Sequence, residues 1–278
     1  MRIFALSDVH ADFEPNARWL KNLSLHDYQA DVLILAGDVA DSLPLLEWSL
    51  GLVARRFQAV LFVPGNHELW TRRDQPRIDS FEKFERVRER VQKSGASMET
   101  FRTSQVAIVP LLGWYDYSFG LPSTELKDLW MDFHACAWPP GYDVGEIAAR
   151  FLALNAPSLD GMRRRDAGLR AARGHEPCFD SLVRDSAEPL RISFSHFLPR
   201  LELVPKRSAA SGLDLSPVLG SVLLDRQVRE VGATIHVYGH SHVNRRVVID
   251  GVTYVNNAFG YPHESAIAAK RLLCLLER

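Results

Sequence analysis

The chain is short of three things: cysteine, an excess of charge of either sign, and long apolar runs. Its three cysteines, Cys136, Cys178 and Cys274, are spread over 278 residues. None forms a Cys-x-x-Cys pair, and an odd number does not suit a disulfide framework. They read as small packing residues in a reducing compartment. Lys and Arg number 33 against 34 Asp and Glu. That balance argues against a general nucleic-acid or membrane-surface binder. No segment approaches the ~18 uninterrupted apolar residues of a spanning helix. The opening apolar run, Arg2–Leu6, is too short for a signal peptide and leads straight into Asp8 and His10. The expectation is a cytoplasmic protein with neither a membrane nor nucleic acid as partner. Repeats and low-complexity tracts are absent too.

What is present suits an ordinary globular protein. A hydrophobic fraction of 46% at this length is enough to build a sizeable core. Several short apolar runs end in a polar cluster. Arg2–Leu6 leads to Ser7-Asp8, Val32–Leu35 to Gly37-Asp38, and Val60–Val63 to Gly65-Asn66-His67. Ile192–Phe194 leads to His196, and Ile235–Tyr238 to Gly239-His240. Each run has the length and β-branched content of a strand. Helices are expected at Pro15–Leu25 and Leu43–Arg56. Alternation of this kind predicts a parallel α/β arrangement, in which ligands gather beyond the carboxyl ends of strands. The polar clusters fall there, within one expected domain over residues 1–278.

The middle of the chain differs. Ser80–Gln92 predicts a charged helix, Gln105–Leu112 a strand, and Glu146–Arg170 a helical stretch. Residues 114–186 read as an aromatic insertion, either with its own small core or as a cap that selects substrate. The end predicts paired strands, Arg245–Ile249 and Val252–Val255, turning at Asp250-Gly251, and a last strand in Lys270–Leu276.

Asp8 and His10 are two residues apart, as are His240 and His242. At a strand end such pairs point to one face, where both can reach one cation. Taken singly, each piece has a plain reading: Asp38 as a turn residue, Asn66 as a turn, His196 as a core histidine. Five clusters in this order, each at a strand end, do not. Mixed nitrogen and oxygen donors suit Mn, Fe or Zn better than calcium.

The set Asp8-x-His10, Gly37-Asp38-x-x-Asp41, Gly65-Asn66-His67-Glu68, His196 and Gly239-His240-x-His242 resembles the calcineurin-like metallophosphoesterase superfamily. The tail segment Asn256-Asn257-Ala258-Phe259-Gly260-Tyr261-Pro262 resembles one seen in bacterial small-substrate members. The resemblance implies a sandwich of two mixed β-sheets flanked by helices, and two metal ions. It places Asp8, His10 and His242 on one metal, Asn66, His196 and His240 on the other, and Asp38 between them. It makes His67 the acid that protonates the leaving group. Asp41 either pairs with His67 or, with Ser42, caps the helix at Leu43. Glu68 is expected to be a structural partner.

Two such metals lower the pKa of water towards ~7 and make it a nucleophile for phosphorus. The expected reaction is therefore hydrolysis of a phosphate monoester or diester. Protein serine/threonine phosphatases of the superfamily carry Arg after the second Asp, where this chain has Ser42. The expected substrate is instead a small soluble molecule, a nucleotide or phosphorylated metabolite, for which the aromatic insertion offers stacking faces. Arg72, Arg73, Arg200 and Arg245 are candidates to hold phosphate, and Trp114 and Tyr115 to touch the substrate. A nuclease would need a basic groove, which the balanced charge disfavours. A non-enzymatic scaffold would lack metal ligands, and none is missing here.

Overall fold

The computed structural model describes residues 1–173, 189–206 and 212–277. In chain order the strands are β1 (Arg2–Leu6), β2 (Val32–Ala36), β3 (Ala59–Val63), β4 (Phe101–Arg102), β5 (Val106–Pro110), β6 (Leu190–Phe194), β7 (Ile235–Tyr238), β8 (Arg245–Ile249), β9 (Val252–Asn256) and β10 (Leu273–Glu277). The helices are α1 (Glu14–Lys21), α2 (Leu43–Ala54), α3 (Ser80–Ser94), α4 (Thr124–Leu129), α5 (Asp132–Ala135), α6 (Val144–Ala153), α7 (Ala156–Arg173), α8 (Ser216–Leu219) and α9 (Val222–Val231). One sheet runs β10-β1-β2-β3 and the other β4-β5-β6-β7-β9-β8. Both are mixed. β1, β2 and β3 are parallel with β10 antiparallel at the edge; β5, β6, β7 and β9 are parallel with β4 and β8 antiparallel.

The strands alternate between two apolar layers. Ile3, Ala5, Val32, Ile34 and Leu61 of the first sheet meet Ile108, Ile192, Phe194, Val237 and Val255 of the second. Their neighbours Phe4, Leu33, Leu35 and Phe62 face outward onto residues of α1, α2 and α3. The central strands are thus covered on both faces, which explains their continuous apolar runs. The fold is the expected sandwich of two mixed sheets flanked by helices.

The aromatic segment has no core of its own among the described residues. Trp114, Tyr115, Phe119, Leu126, Ile147 and Phe151 share one cluster with Val109 of β5 and with Leu224 and Val228 of α9. The single helical stretch expected over Glu146–Arg170 is two helices. Asn155 stands at the break, its side chain accepting the Leu112 N–H and donating to the Leu112 carbonyl, each at 2.8 Å. Residues 174–186 of the segment, with Cys178, lie outside the described residues. Cys136 packs against the same cluster, but Cys274 is exposed on β10 and is not the packing residue expected. No helix among the described residues is long and apolar enough to cross a membrane.

His236 on β7 is wholly buried, with its ring nitrogens 2.8 Å from the Ser193 hydroxyl and 3.1 Å from that of Ser195. Burial pushes its pKa down to about 3. An unfolded histidine takes up its proton near ~6.5, so below that pH the unfolded chain binds more protons than the folded one. Stability is therefore lost as pH falls from about 6.5 towards 3, by about 2 kcal/mol near pH ~5. In metal-stripped protein, His236→Gln is expected to flatten the acid side of the stability–pH curve by about one proton. Denaturant unfolding from pH ~7 to ~4 reads this, and an unchanged slope would clear His236 of the effect.

Candidate metal centre

Beyond the strand ends the backbone leaves the pleat. Asp8, His10, Asp38, His240 and His242 all have positive φ, between 46° and 68°. Side chains adopt this left-handed region rarely, Asp and His more readily than most. The pairing of Asp8 with His10, and of His240 with His242, therefore comes from left-handed turns after β1 and β7, not from strand alternation as the spacing suggests. Such strain persists only where surrounding contacts impose it. Here the Asp8 and His10 N–H groups donate to the Gly37 and Asp38 carbonyls, and the His240 N–H donates to Asp8 Oδ1.

Two groups of side chains converge. Asp8, His10, Asp38 and His242 each bring one ligand atom within 4.8 Å of the others, and so do Asp38, His196 and His240. Asp38 belongs to both. Asn66 joins the second group, with Oδ1 at 3.1 Å from His196 Nε2.

The outer hydrogen bonds decide which ring nitrogens hold lone pairs. His196 Nδ1–H donates to the Ala36 carbonyl at 2.9 Å, and His240 Nε2–H to the Val218 carbonyl at 3.0 Å. The inner nitrogens, His196 Nε2 and His240 Nδ1, then face each other at 3.0 Å as lone pairs. His242 Nδ1–H donates to Glu264 at 2.7 Å, leaving its Nε2 lone pair 3.1 Å from His10 Nε2. Acceptors crowded this way repel unless they share a positive charge. Two donors ~2.1 Å from one cation and about 90° apart stand about 3.0 Å from each other, so the spacing fits metal ligation. Burial holds His10 and His240 well below the usual imidazole range, as neutral ligands require. His196 answers the same demand differently: burial opposes its protonation, but Asp38 prevails and pushes it up to about 9. Without a metal, a proton meets the need there.

Glu68 ties the loops together. Its buried carboxylate accepts the N–H groups of Asp38, Val39, Ala40 and Gly65 at 2.6–3.0 Å. It points at backbone, not at the donor clusters. Close approach explains Gly65. A Cβ there would stand 2.7 Å from His196 Nε2 and nearer still to Asp38 Oδ1. Gly65→Ala is expected to cost about 1–3 kcal/mol of stability and to push Asp38 out of line. Metal content and thermal unfolding measure this; a fully loaded variant of native stability would show that the loop yields.

His67 lies beside the donors. Its Nδ1–H donates to Asp41 Oδ1 at 2.8 Å, and its Nε2 is 3.9 Å from Asp38 Oδ2. Burial lowers its pKa, but Asp38 and Asp41 more than offset that and push it up to about 9. Asp41 therefore faces His67, while Ser42, at the cap position of α2, makes no side-chain cap bond. Trp70 packs on the His67 ring with centroids 3.6 Å apart. Behind them the buried ammonium of Lys83 donates to the carbonyls of Asp41 and Trp70 and pairs with Asp74 at 2.9 Å.

A cavity of about 1080 Å³ opens at His10, Asp41 and His67, with Arg72, Arg73, Phe13, Trp70, Met131 and Tyr261 also in its wall. Arg72 and Arg73 are thus at the site. The other expected substrate contacts are not. Trp114 and Tyr115 are 1% and 3% exposed inside the core, beyond the reach of a ligand. Arg200 is taken up by Glu202, Asp225 and Asp250, and Arg245 donates to the Glu202 carbonyl. The pocket aromatics are Phe13, Trp70 and Tyr261 instead. Sequence reasoning also missed Lys83, Asp132 and Glu264. Glu264, two residues past the tail segment, carried a faint signal of proximity; Lys83 and Asp132 carried none.

The family model described as calcineurin-like phosphoesterase matches residues 1–244. The chain belongs to the calcineurin-like phosphoesterase family. It is a phosphoric ester hydrolase, and the scaffold reading falls. This phosphoesterase is 37% identical, over 94% of its own length and 78% of the relative's, to the acyl-carrier-protein phosphodiesterase PptH of Mycobacterium tuberculosis. Its fold is similar to the crystal structure of phosphopantetheinyl hydrolase (PptH) from Mycobacterium tuberculosis. That match has a TM-score of 0.73 at 24% identity and covers 100% of this chain and 96% of that one.

Proposed function

We propose that this chain is a two-metal phosphodiesterase that cleaves the phosphodiester joining a phosphopantetheine arm to a carrier protein. The observation that carries the two-metal reading is the pair of donor clusters sharing Asp38, with His67 between them and the cavity. The substrate class is supported by the 37% identity to an acyl-carrier-protein phosphodiesterase. A nucleotide has lost part of its support, because Trp114 and Tyr115, the two aromatics expected to touch the substrate, are buried in the core.

Asp8, His10, Asp38 and His242 would hold one ion; Asp38, Asn66, His196 and His240 the other. Bound there, the pair supplies Lewis acidity, which neutralises phosphoryl charge and lowers the pKa of water. The chain's own residues do the rest. Arg72 and Arg73 bring positive charge to the rim for the substrate's anionic oxygens. The oxygen of water forms a new bond to phosphorus while the bond to the carrier's side-chain oxygen breaks. His67 Nε2 gives its proton to that leaving oxygen, and the proton lost by water goes to solvent. The phosphate stays on the arm. Asp41 keeps His67 turned with Nε2 inward.

A panel of substrates tests this. With Mn²⁺, phosphopantetheinylated carrier protein and a chromogenic diester are expected to be cleaved in preference to a chromogenic monoester, and chelator should stop both. Equal or faster cleavage of monoesters or cyclic nucleotides, with the carrier untouched, would overturn the substrate assignment and leave the metal chemistry standing.

A further inference from the structure

Asp132 takes no part in the steps above. It sits on α5, in the aromatic segment, 66 residues from Asn66 in sequence. It is 3% exposed. Its Oδ1 accepts from Asn66 Nδ2 at 2.8 Å and from the Trp70 indole N–H at 2.7 Å. Its Oδ2 accepts from the Trp130 indole N–H at 2.8 Å. All three donors are neutral. A buried carboxylate in such company is costly unless a positive charge lies close by, and the adjoining donor cluster is built to hold one.

The consequence follows from the chemistry of an amide. Asn66 offers a carbonyl oxygen at one end and an NH₂ at the other. A carboxylate accepts only, so Asp132 must take the NH₂. The carbonyl oxygen is then turned to the His196 and His240 side, 3.1 Å from His196 Nε2. With the amide reversed, that site would face two N–H donors and no ligand. The same Asp132 oxygen holds Trp70, whose ring lies against His67. The other holds Trp130, whose ring meets His240 edge-on at 5.7 Å between centroids. Backbone bonds dock the segment at the same place: the Thr71 and Arg72 N–H groups both donate to the Ala135 carbonyl.

We infer that Asp132 is a positioning residue that fixes Asn66 as a ligand of the second metal site. The aromatic segment is thereby a wall of the metal centre, not only a cover over it. The inference rests on the two-metal reading above. Partners of this kind, one step behind the ligands, typically carry 10–100-fold of metal affinity.

Mn²⁺ is titrated into the metal-stripped full chain, with its thermal unfolding recorded alongside. Wild type should bind two equivalents; fewer would overturn the two-metal reading itself. Asp132→Ala should weaken one equivalent by about 10–100-fold and leave the other unchanged. Asp132→Asn keeps one oxygen for Asn66 and Trp70, turns its NH₂ to the Trp130 indole N–H, and should still bind both equivalents more tightly than Asp132→Ala. A swap keeps the test independent of whether the alanine variant folds. Asn66→Asp sets two carboxylates against each other and should lose one equivalent; adding Asp132→Asn restores a donor–acceptor pair with residue 66, although the new NH₂ then meets the Trp70 indole N–H, and should regain part of that binding. Wild-type binding by Asp132→Ala, equal weakening of both equivalents, or no regain in the double variant would each overturn the role of Asp132.

Discussion

Asp38→Asn is expected to lower kcat by about 10³-fold or more and to strip the second metal site first. The amide has the shape of the carboxylate, so the fold should survive the change. What changes is charge. Asn66, His196 and His240 are all neutral ligands, and Asp38 is the one anion that their cluster contains. The first cluster still keeps Asp8. Oδ2 of Asp38 is 3.4 Å from His196 Nε2, and Oδ1 accepts the His67 N–H at 3.1 Å. An amide either turns its NH₂ towards the ligand nitrogens, blocking a cation, or turns it towards the His67 N–H, where donor meets donor. Metal content after gel filtration and initial rates on a diester give the two readouts. Two tightly held equivalents with activity within tenfold of wild type would remove Asp38 as the residue shared between sites.

The donors were legible in the sequence because each follows a short apolar run, and such runs in parallel sheets end on one edge. Their conformation was not. Asp8-x-His10 looked like two residues on one face of a strand, but the strand stops at Leu6 and a left-handed turn aims both side chains. Spacing cannot distinguish the two, since either brings residues i and i+2 together. The groups behind the ligands were hidden for a different reason. Asp132 meets Asn66, and Lys83 meets the Asp41 carbonyl, only after the chain has folded, and nothing local to either residue marks its partner. The aromatic segment misled in the opposite direction. A run holding Trp114, Tyr115 and Trp138 suits a stacking platform and a hydrophobic core equally well by composition. The outer face of the second sheet needed covering, and Trp114 and Tyr115 were spent on that.

His67→Ala is expected to lower kcat by about 10²–10⁴-fold on a substrate with an alkyl leaving group while both metals remain bound. His67 reaches no donor atom at ligand distance; its nearest carboxylates are Asp41 at 2.8 Å and Asp38 at 3.9 Å. Its contribution is a proton, so it should scale with need. A nitrophenolate leaves readily as an anion, and on such an ester the loss should shrink to about tenfold or less. Loss of metal from the variant would make His67 part of the ligand frame, and equal losses on both substrates would make it a binding group. The pH profile supplies the second half of the test. The proton is available below the His67 pKa, which Asp38 and Asp41 hold up at about 9 against the effect of burial. Cations held by Asp38 offset part of its charge and lower that value, so activity in the metal-loaded enzyme should fall as pH rises through a pKa below about 9. Asp41→Asn removes one of the two supporting charges, so the fall should begin at lower pH, with the acid side of the profile unmoved. A basic limb that stays in place in Asp41→Asn would mean that some other group, not the His67–Asp41 pair, delivers the proton.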